Sequence, residues 1–246
     1  MSTRIVRKIP VRSSENAHPP ASISANTIFL ACNFVNKRVK RHFDGLKKIW
    51  EKILPVRVYL SDKVQGGGAR DLWNDITQTI GEANLLIFDV TSFRPNVTLE
   101  LGFSLALKRT DQIIICRDLT PSGKKSSNHE KWQLSDIPHL YRIEYRNFNT
   151  LDEQLLQHVE RMAPVRKFYE LVKEIERQHD LSNNIYISEA LAALRELRDN
   201  GPIRRKKFRA RLINRGVEAK TLEKLLMYFE LAKPESGRNG FWKLID

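Results

Sequence analysis

Between Asn26 and about Tyr145 the chain alternates short apolar runs with longer stretches that read as helices, and this alternation narrows the possible folds most. The strand-like runs are TIFLAC (27–32), VRVYL (56–60), NLLIFDV (84–90), QIIICR (112–117) and YRIEY (141–145). The second and fifth alternate, whereas the third and fourth are continuously apolar, as in strands buried on both faces. Between them lie KRVKRHFDGLKKIWEKIL, ARDLWNDITQTIGEA and NVTLELGFSLALKR. In the middle one Leu72, Ile76 and Ile80 fall four apart on a single apolar face. Strand–helix–strand alternation at this spacing predicts a parallel sheet wrapped by helices, with ligands bound beyond the carboxyl ends of the strands.

The stretch from Asp89 to Leu107, DVTSFRPNVTLELGFSLAL, then takes its place in that scheme. Asp89 ends a central strand, TSFRPN is the crossover, and a helix starts near Pro95 or Asn96. Glu100 sits about one turn in, facing the crevice if Val97, Leu101 and Leu105 face the sheet. The positive end of the helix favours an ionised carboxylate there, suiting a nucleophile or cation stabiliser more than a general acid. Gly102 costs about 1 kcal/mol relative to alanine in a helix. From these residues alone two readings stay open. Either glutamate and glycine serve a ligand that approaches closely, or they are an ordinary first-turn acid and an aid to tight helix–sheet packing.

The residues IFLACNF, GGGARDLWNDITQTIGEANLLIFDVTSFRPNVTLELGFSLALKRTDQIIICRD resemble the nucleoside 2-deoxyribosyltransferase-like and TIR-like group. Its marks are a first strand ending in a small–polar–Phe step, an Ile–x–x–Ala helix, a strand ending Asp–x–Thr, and Pro-Asn-Val–x–x–Glu-Leu-Gly. The match covers roughly residues 27 to 118. It implies a flavodoxin-like parallel sheet with helices on both faces. In this group the glutamate before Leu-Gly is catalytic, which carries over to Glu100. The implied reaction is cleavage of an N-glycosidic bond in NAD or in a (deoxy)nucleotide or nucleoside, through an oxocarbenium-like transition state. Asp89, Thr91 and Asn96 would then bind ribose or orient Glu100; Asn33 and Phe34 would line the pocket, with Phe34 stacking on a base. Plainer uses exist for several of these: Asp89 and Asn96 as caps, Phe34 as core.

After the second strand the chain reads YLSDKVQGGGAR. The amides around Gly67 could cradle a phosphate, assisted by Arg70, although the run is neither a Walker A loop nor a dinucleotide fingerprint. A plain turn is the other reading. A phospho-receiver domain is set aside, because the first strand ends in Cys32-Asn33 rather than in acidic residues.

Residues 121–139 read as a long polar loop and 149–182 as a helical connector broken at Pro164. From 183 to 246 the pattern changes. A helix around Ala190, Leu191, Leu194 and Leu197 stops at Asn200-Gly201. IRRKKFRARLIN follows, then KTLEKLLMYFEL with apolar residues at i, i+3, i+4 and i+7, then AKPESGRNGFWKLID as a hairpin. Three short helices and a terminal hairpin resemble a winged helix-turn-helix, giving a small α+β domain after the α/β domain of 26–148 and a basic tail at 1–25. Between Pro202 and Arg215 stand seven basic residues and no acidic one. Arg204, Arg205, Lys206, Lys207, Arg209 and Arg211, with Arg238 and Lys243 in the wing, are the expected nucleic-acid contacts. Since the third helix looks mixed in charge, they favour phosphate contact over base reading.

The formal charge of +13 agrees with an anionic partner, DNA or a DNA–RNA hybrid. No apolar run approaches the roughly 20 residues of a membrane span, and no secretory leader is apparent, so a cytoplasmic protein is expected. Cys32 and Cys116, each in an apolar run, read as buried reduced thiols. Nothing has metal-ligand spacing, and no metal or cofactor is expected.

Joined to a winged helix, such a catalytic domain resembles effectors of bacterial anti-phage defence, including those associated with retrons. That resemblance implies a toxin controlled by a reverse transcriptase and its single-stranded DNA–RNA. It also implies a homo-oligomer, since catalytic domains of the group often complete their pockets across subunits. The alternatives are a non-catalytic nucleotide-sensing DNA-binding regulator, and an assembly protein whose basic face contacts a partner RNA.

Overall fold

A computed structural model describes residues 26–63, 69–91, 94–120, 140–177, 183–213, 215–235 and 240–244. The basic tail, Gly67, Arg238 and the loop at 121–139 lie outside the described residues, as does the side chain of Arg70.

The five strands are β1 (Thr27–Ala31), β2 (Arg57–Leu60), β3 (Leu85–Asp89), β4 (Ile113–Asp118) and β5 (Tyr141–Tyr145). They form one parallel sheet in the order β2-β1-β3-β4-β5, the flavodoxin-like order. Side chains alternate across it. Ile28, Leu30, Val58, Ile87, Ile114 and Ile143 point to one face, against α1 (Lys37–Ile53) and α4 (Phe148–Val159). Phe29, Ala31, Leu86, Phe88, Ile113 and Ile115 point to the other, against α2 (Ala69–Glu82) and α3 (Pro95–Leu107). The helices follow from their residue patterns. In α1, Val39, Phe43, Leu46 and Trp50 recur at helical spacing and are all fully buried, and Asn36 caps the helix by accepting from Arg38 and Val39 amides. Trp50 is buried without loss because its indole N–H donates to Asp152 of α4 at 2.7 Å.

β2 is an edge strand, and its outward backbone groups are occupied by side chains. The Val58 amide donates to Glu51 Oε1 at 2.9 Å, and the Val58 carbonyl accepts from Lys47, both on α1. At the start of the strand the Val56 carbonyl accepts from Arg198.

Arg198 belongs to a second unit, built from α5 (Ala163–Arg177), α6 (Asn183–Asn200), β6 (Ile203–Arg204), α7 (Arg205–Ile213), α8 (Ala219–Tyr228), β7 (Ala232–Pro234) and β8 (Phe241–Leu244). Its strands form an antiparallel sheet in the order β6-β8-β7, so the terminal segment is a hairpin with Ala232 opposite Leu244. Its core gathers Ala190, Leu194 and Leu197 with Phe208, Leu212, Leu222, Leu226 and Trp242. The segment expected as a connector is divided between the two cores. α4 buries Leu151, Leu155 and Val159 against the large sheet, while α5 gives Phe168, Leu171 and Ile175 to the second core. Pro164 falls in the first turn of α5, where its missing N–H costs nothing. Among the described residues no helix is long and apolar enough to cross a membrane.

Candidate functional site

A cavity of about 550 Å³ opens at the carboxyl ends of β1 and β2. Its wall comes from four places: Cys32–Val35 after β1, Ser61 and Asp62 after β2, Leu72 and Ile76 of α2, and Arg94–Val97 with Glu100 at the start of α3. β1 and β3 are adjacent while their crossovers run to opposite faces, and that divergence leaves the crevice. The size suits a nucleoside or nucleotide.

Glu100 lies one turn and a half into α3 and is 5% exposed. Ser61 hydrogen-bonds to its carboxyl group, while Oε2 is buried without a hydrogen-bond partner among the described residues. The expectation of a carboxylate held ionised by the helix end is not met. Burial pushes its pKa up to about 7, and the Ser61 hydrogen bond offsets this only in part. Glu100 is beyond the first turn, where the helix dipole falls off, and Pro95 at the first position supplies no N–H. Near neutral pH both ionisation states are populated, so the group can serve as an acid or, once ionised, as a nucleophile.

Asn33, Phe34 and Asn96 do line the cavity beside Glu100. Asn33 is buried; its Oδ1 accepts from the Val35 amide and from Arg94 Nε, both at 3.1 Å. Phe34 is half-buried, with Lys40 Nζ 5.0 Å from its ring centroid.

Asp89 and Thr91 are not in the cavity wall. Asp89 is 1% exposed and accepts from the Tyr145 hydroxyl at 2.6 Å and the Thr91 amide at 3.1 Å. Burial raises its pKa to about 6 against those hydrogen bonds. Thr91 Oγ1 accepts from the Asp118 amide at 2.8 Å, tying the ends of β3 and β4. Both therefore act as struts beneath the crevice.

Ser61, Asp62 and Arg94 complete the cavity and were not singled out in the sequence. The legible signal was position: Ser61 and Asp62 follow the carboxyl end of β2, where ligands of such sheets gather. Asp62 is ion-paired with Lys40. Cys32 also lines the cavity, but burial, then the nearby Asp89 and Asp62, push its thiol far above the ordinary range, so it is no nucleophile at neutral pH. Among the described residues no group of three His, Cys, Asp or Glu could hold a metal ion.

Gly102 explains itself by absence of contact: a Cβ there would meet no atom within 4 Å, and the residue is exposed. Neither the sheet nor the cavity approaches it, so tight packing within the chain is not its reason.

The basic segment differs from the expectation of unopposed charge. Arg205 and Arg209 both grip Glu223 of α8, with Nε–Oε1 distances of 3.0 and 2.8 Å. Glu223 is 2% exposed; burial alone would raise its pKa, but the two guanidiniums overrule it and leave it lowered. Arg211 pairs with Glu196 and Glu189, and Arg215 with Glu189 at 2.8 Å. Arg204 lies over Phe241, and Lys243 is half-buried. Lys206 and Lys207 stay exposed, Lys207 at 4.0 Å from Glu196. Because Glu223 turns inward, the outer face of α8 shows Lys220, Lys224 and Tyr228 at i, i+4 and i+8, all exposed.

No protein-family model matches the sequence, and no curated protein is significantly similar to it.

Proposed function

We propose that the chain is an N-glycosidase acting on NAD or on a (deoxy)nucleoside or nucleotide, with Glu100 as the catalytic carboxylate. One observation carries the reading: a carboxyl group with a buried, unpartnered oxygen faces a ligand-sized cavity at the switch point of a parallel sheet. An unpaired buried carboxyl oxygen is costly, and a site that meets a developing positive charge gives that cost a use. As the bond between the anomeric carbon and the base breaks, its electron pair leaves with the base. The ionised Glu100 then attacks or stabilises the anomeric carbon, and water supplies the oxygen that ends on the sugar. Phe34 offers a stacking surface for the base, and Asn33 and Asn96 offer polar groups to the sugar. The resemblance to nucleoside deoxyribosyltransferase-like and TIR-like domains supports the same assignment.

The second unit is proposed as a winged helix that binds nucleic acid. Its order of helix, strand, helix, helix, hairpin agrees with that fold, and the lysine–lysine–tyrosine face of α8 beside Lys206 and Lys207 offers cations and a stacking ring to a phosphate backbone. A toxic effector of anti-phage defence, working in the cytoplasm under the control of a reverse transcriptase, is the biological role this pairing suggests.

The deciding experiment is base release. Purified protein and Glu100→Gln are incubated with NAD, nucleotides and deoxynucleosides, alone and with the products of neighbouring genes, and the products are separated chromatographically. Free base from the wild type and none from the variant supports the reading. Ligand binding with no release under any condition replaces it with the nucleotide-sensing DNA-binding regulator.

A further inference from the structure

The start of α3 and the side chain just before it are arranged for an anion that the chain does not supply. Arg94 is the residue ahead of the helix, yet its side chain gives the helix no cap, and Pro95 has no N–H. The first backbone bond of α3 runs from Thr98 to the Arg94 carbonyl at 3.0 Å, so the Asn96 and Val97 amides precede the hydrogen-bonded ladder. No acidic residue stands in the first turn. Arg94 Nε is fixed by Asn33 Oδ1, itself anchored by the Val35 amide, which commits one edge of the guanidinium. No carboxylate among the described residues pairs with the other edge: Asp62, in the same cavity, is held by Lys40.

At the far end of this arrangement is Glu100, nine-tenths buried, its Oε2 unpartnered and facing the same cavity. Four residues of helix separate Asn96 from Glu100, a rise of about 6 Å. That is the reach across one furanose, from a 5′ substituent to the anomeric carbon.

We propose that the cavity takes a nucleoside whose sugar carries a 5′-phosphoryl group, held between the Arg94 guanidinium and the amides of Asn96 and Val97, with the glycosidic carbon at Glu100. The inference rests on the N-glycosidase reading for what happens at Glu100, but the phosphate subsite can be tested without it. A guanidinium edge and helix-end amides match phosphate oxygens in charge and geometry. Free nucleosides lack the group these donors await. Both a mononucleotide and the nicotinamide half of NAD possess it.

The test titrates the full-length protein calorimetrically with 2′-deoxyribose 5-phosphate, ribose 5-phosphate and the two unphosphorylated sugars, and repeats this with Arg94→Gln. Base release is measured in parallel from a nucleoside, its 5′-monophosphate and NAD. Expected is phosphate-dependent binding, weakened by added salt, with Arg94→Gln lowering affinity for the phosphorylated sugars about tenfold or more and for the others far less. Thermal melting of the variant checks that the fold is retained, which the exposure of Arg94 favours. Equal binding of phosphorylated and free sugars, no binding of the phosphorylated ones, or equal weakening of both by the variant overturns the subsite. Base release from nucleoside and monophosphate at the same rate also overturns it, while keeping the glycosidase. Arg94-dependent phosphate binding with no base release keeps the subsite and removes the glycosidase. Release from the monophosphate or from NAD identifies which phosphorylated source is cut.

Discussion

Tyr145, the last residue of β5, donates its hydroxyl to Asp89 Oδ2, the last residue of β3, across the intervening strand β4. Both residues are 1% exposed, and the ring of His42 packs against Tyr145 at 5.8 Å. The carboxylate that the sequence offers to a ribose is thus engaged inside the protein, bracing the strand ends from which the crevice loops depart.

Tyr145→Phe leaves Asp89 Oδ2 buried without its donor. A loss of roughly 1–3 kcal/mol in unfolding free energy is expected by denaturant titration, with ligand affinity changed little. A loss of affinity out of proportion to stability would return Asp89 to the binding site.

Glu100→Gln is expected to abolish base release and to stabilise the protein at alkaline pH. Glu100 has a folded pKa of about 7 against an ordinary 4.5. The native state therefore binds more protons than the unfolded state between those values. The contribution to stability is fully present below about 4.5, falls as pH rises through about 7, and is then gone. The glutamine variant lacks this decline and should exceed the wild type by roughly 1–3 kcal/mol at pH 8, read from melts across pH 5–9. The pH profile of kcat/KM gives the complementary view. If the ionised form reacts, the rate rises up to about pH 7 and then levels.

Two glycines should respond oppositely to alanine. At Gly102 the added methyl meets nothing, so Gly102→Ala should stabilise by about 1 kcal/mol and leave base release unchanged. At Gly45 the methyl would lie 2.8 Å from the Phe148 ring, so Gly45→Ala should lower the melting temperature despite the same gain in helix propensity. Lost activity in Gly102→Ala with an intact fold would show that something outside this chain approaches the glycine.

Charge on α7 should divide by role. Lys206→Ala with Lys207→Ala is expected to weaken nucleic-acid binding and reduce the slope of log affinity against log salt by about 1 for each phosphate that a removed lysine had neutralised. Glu223→Ala should act differently. It releases Arg205 and Arg209 from a buried partner and costs stability, on the order of 1–2 kcal/mol after allowing for the partial exposure of both guanidiniums, while affinity is kept or raised. Filter binding across a salt series, beside thermal melts, separates the two.

What the sequence made legible were the local features. β1 to β5 fall within a residue or two of the apolar runs, and α3 starts at Pro95, because side-chain period and proline stereochemistry act over neighbouring residues. Glu100 was legible as a crevice residue for the same reason. Its ionisation was not, since that depends on how completely β2, α2 and the loop after β1 enclose it. The same holds for partners distant in the chain. Nothing in DVT announces that Asp89 meets Tyr145, 56 positions later, and nothing in IRRKKFRAR shows that Glu189, Glu196 and Glu223 come from α6 and α8 to neutralise most of it.

The occupied edge of β2 has a consequence for how the large sheet meets other chains. A bare edge strand is a template on which a foreign segment can add itself. Here the Val58 amide and carbonyl are taken by Glu51 and Lys47 within the α/β core, but the Val56 carbonyl depends on Arg198 from the second unit. Removing that unit would leave the first step of the ladder open while the next stays shut, so strand addition along this side would stall after one residue.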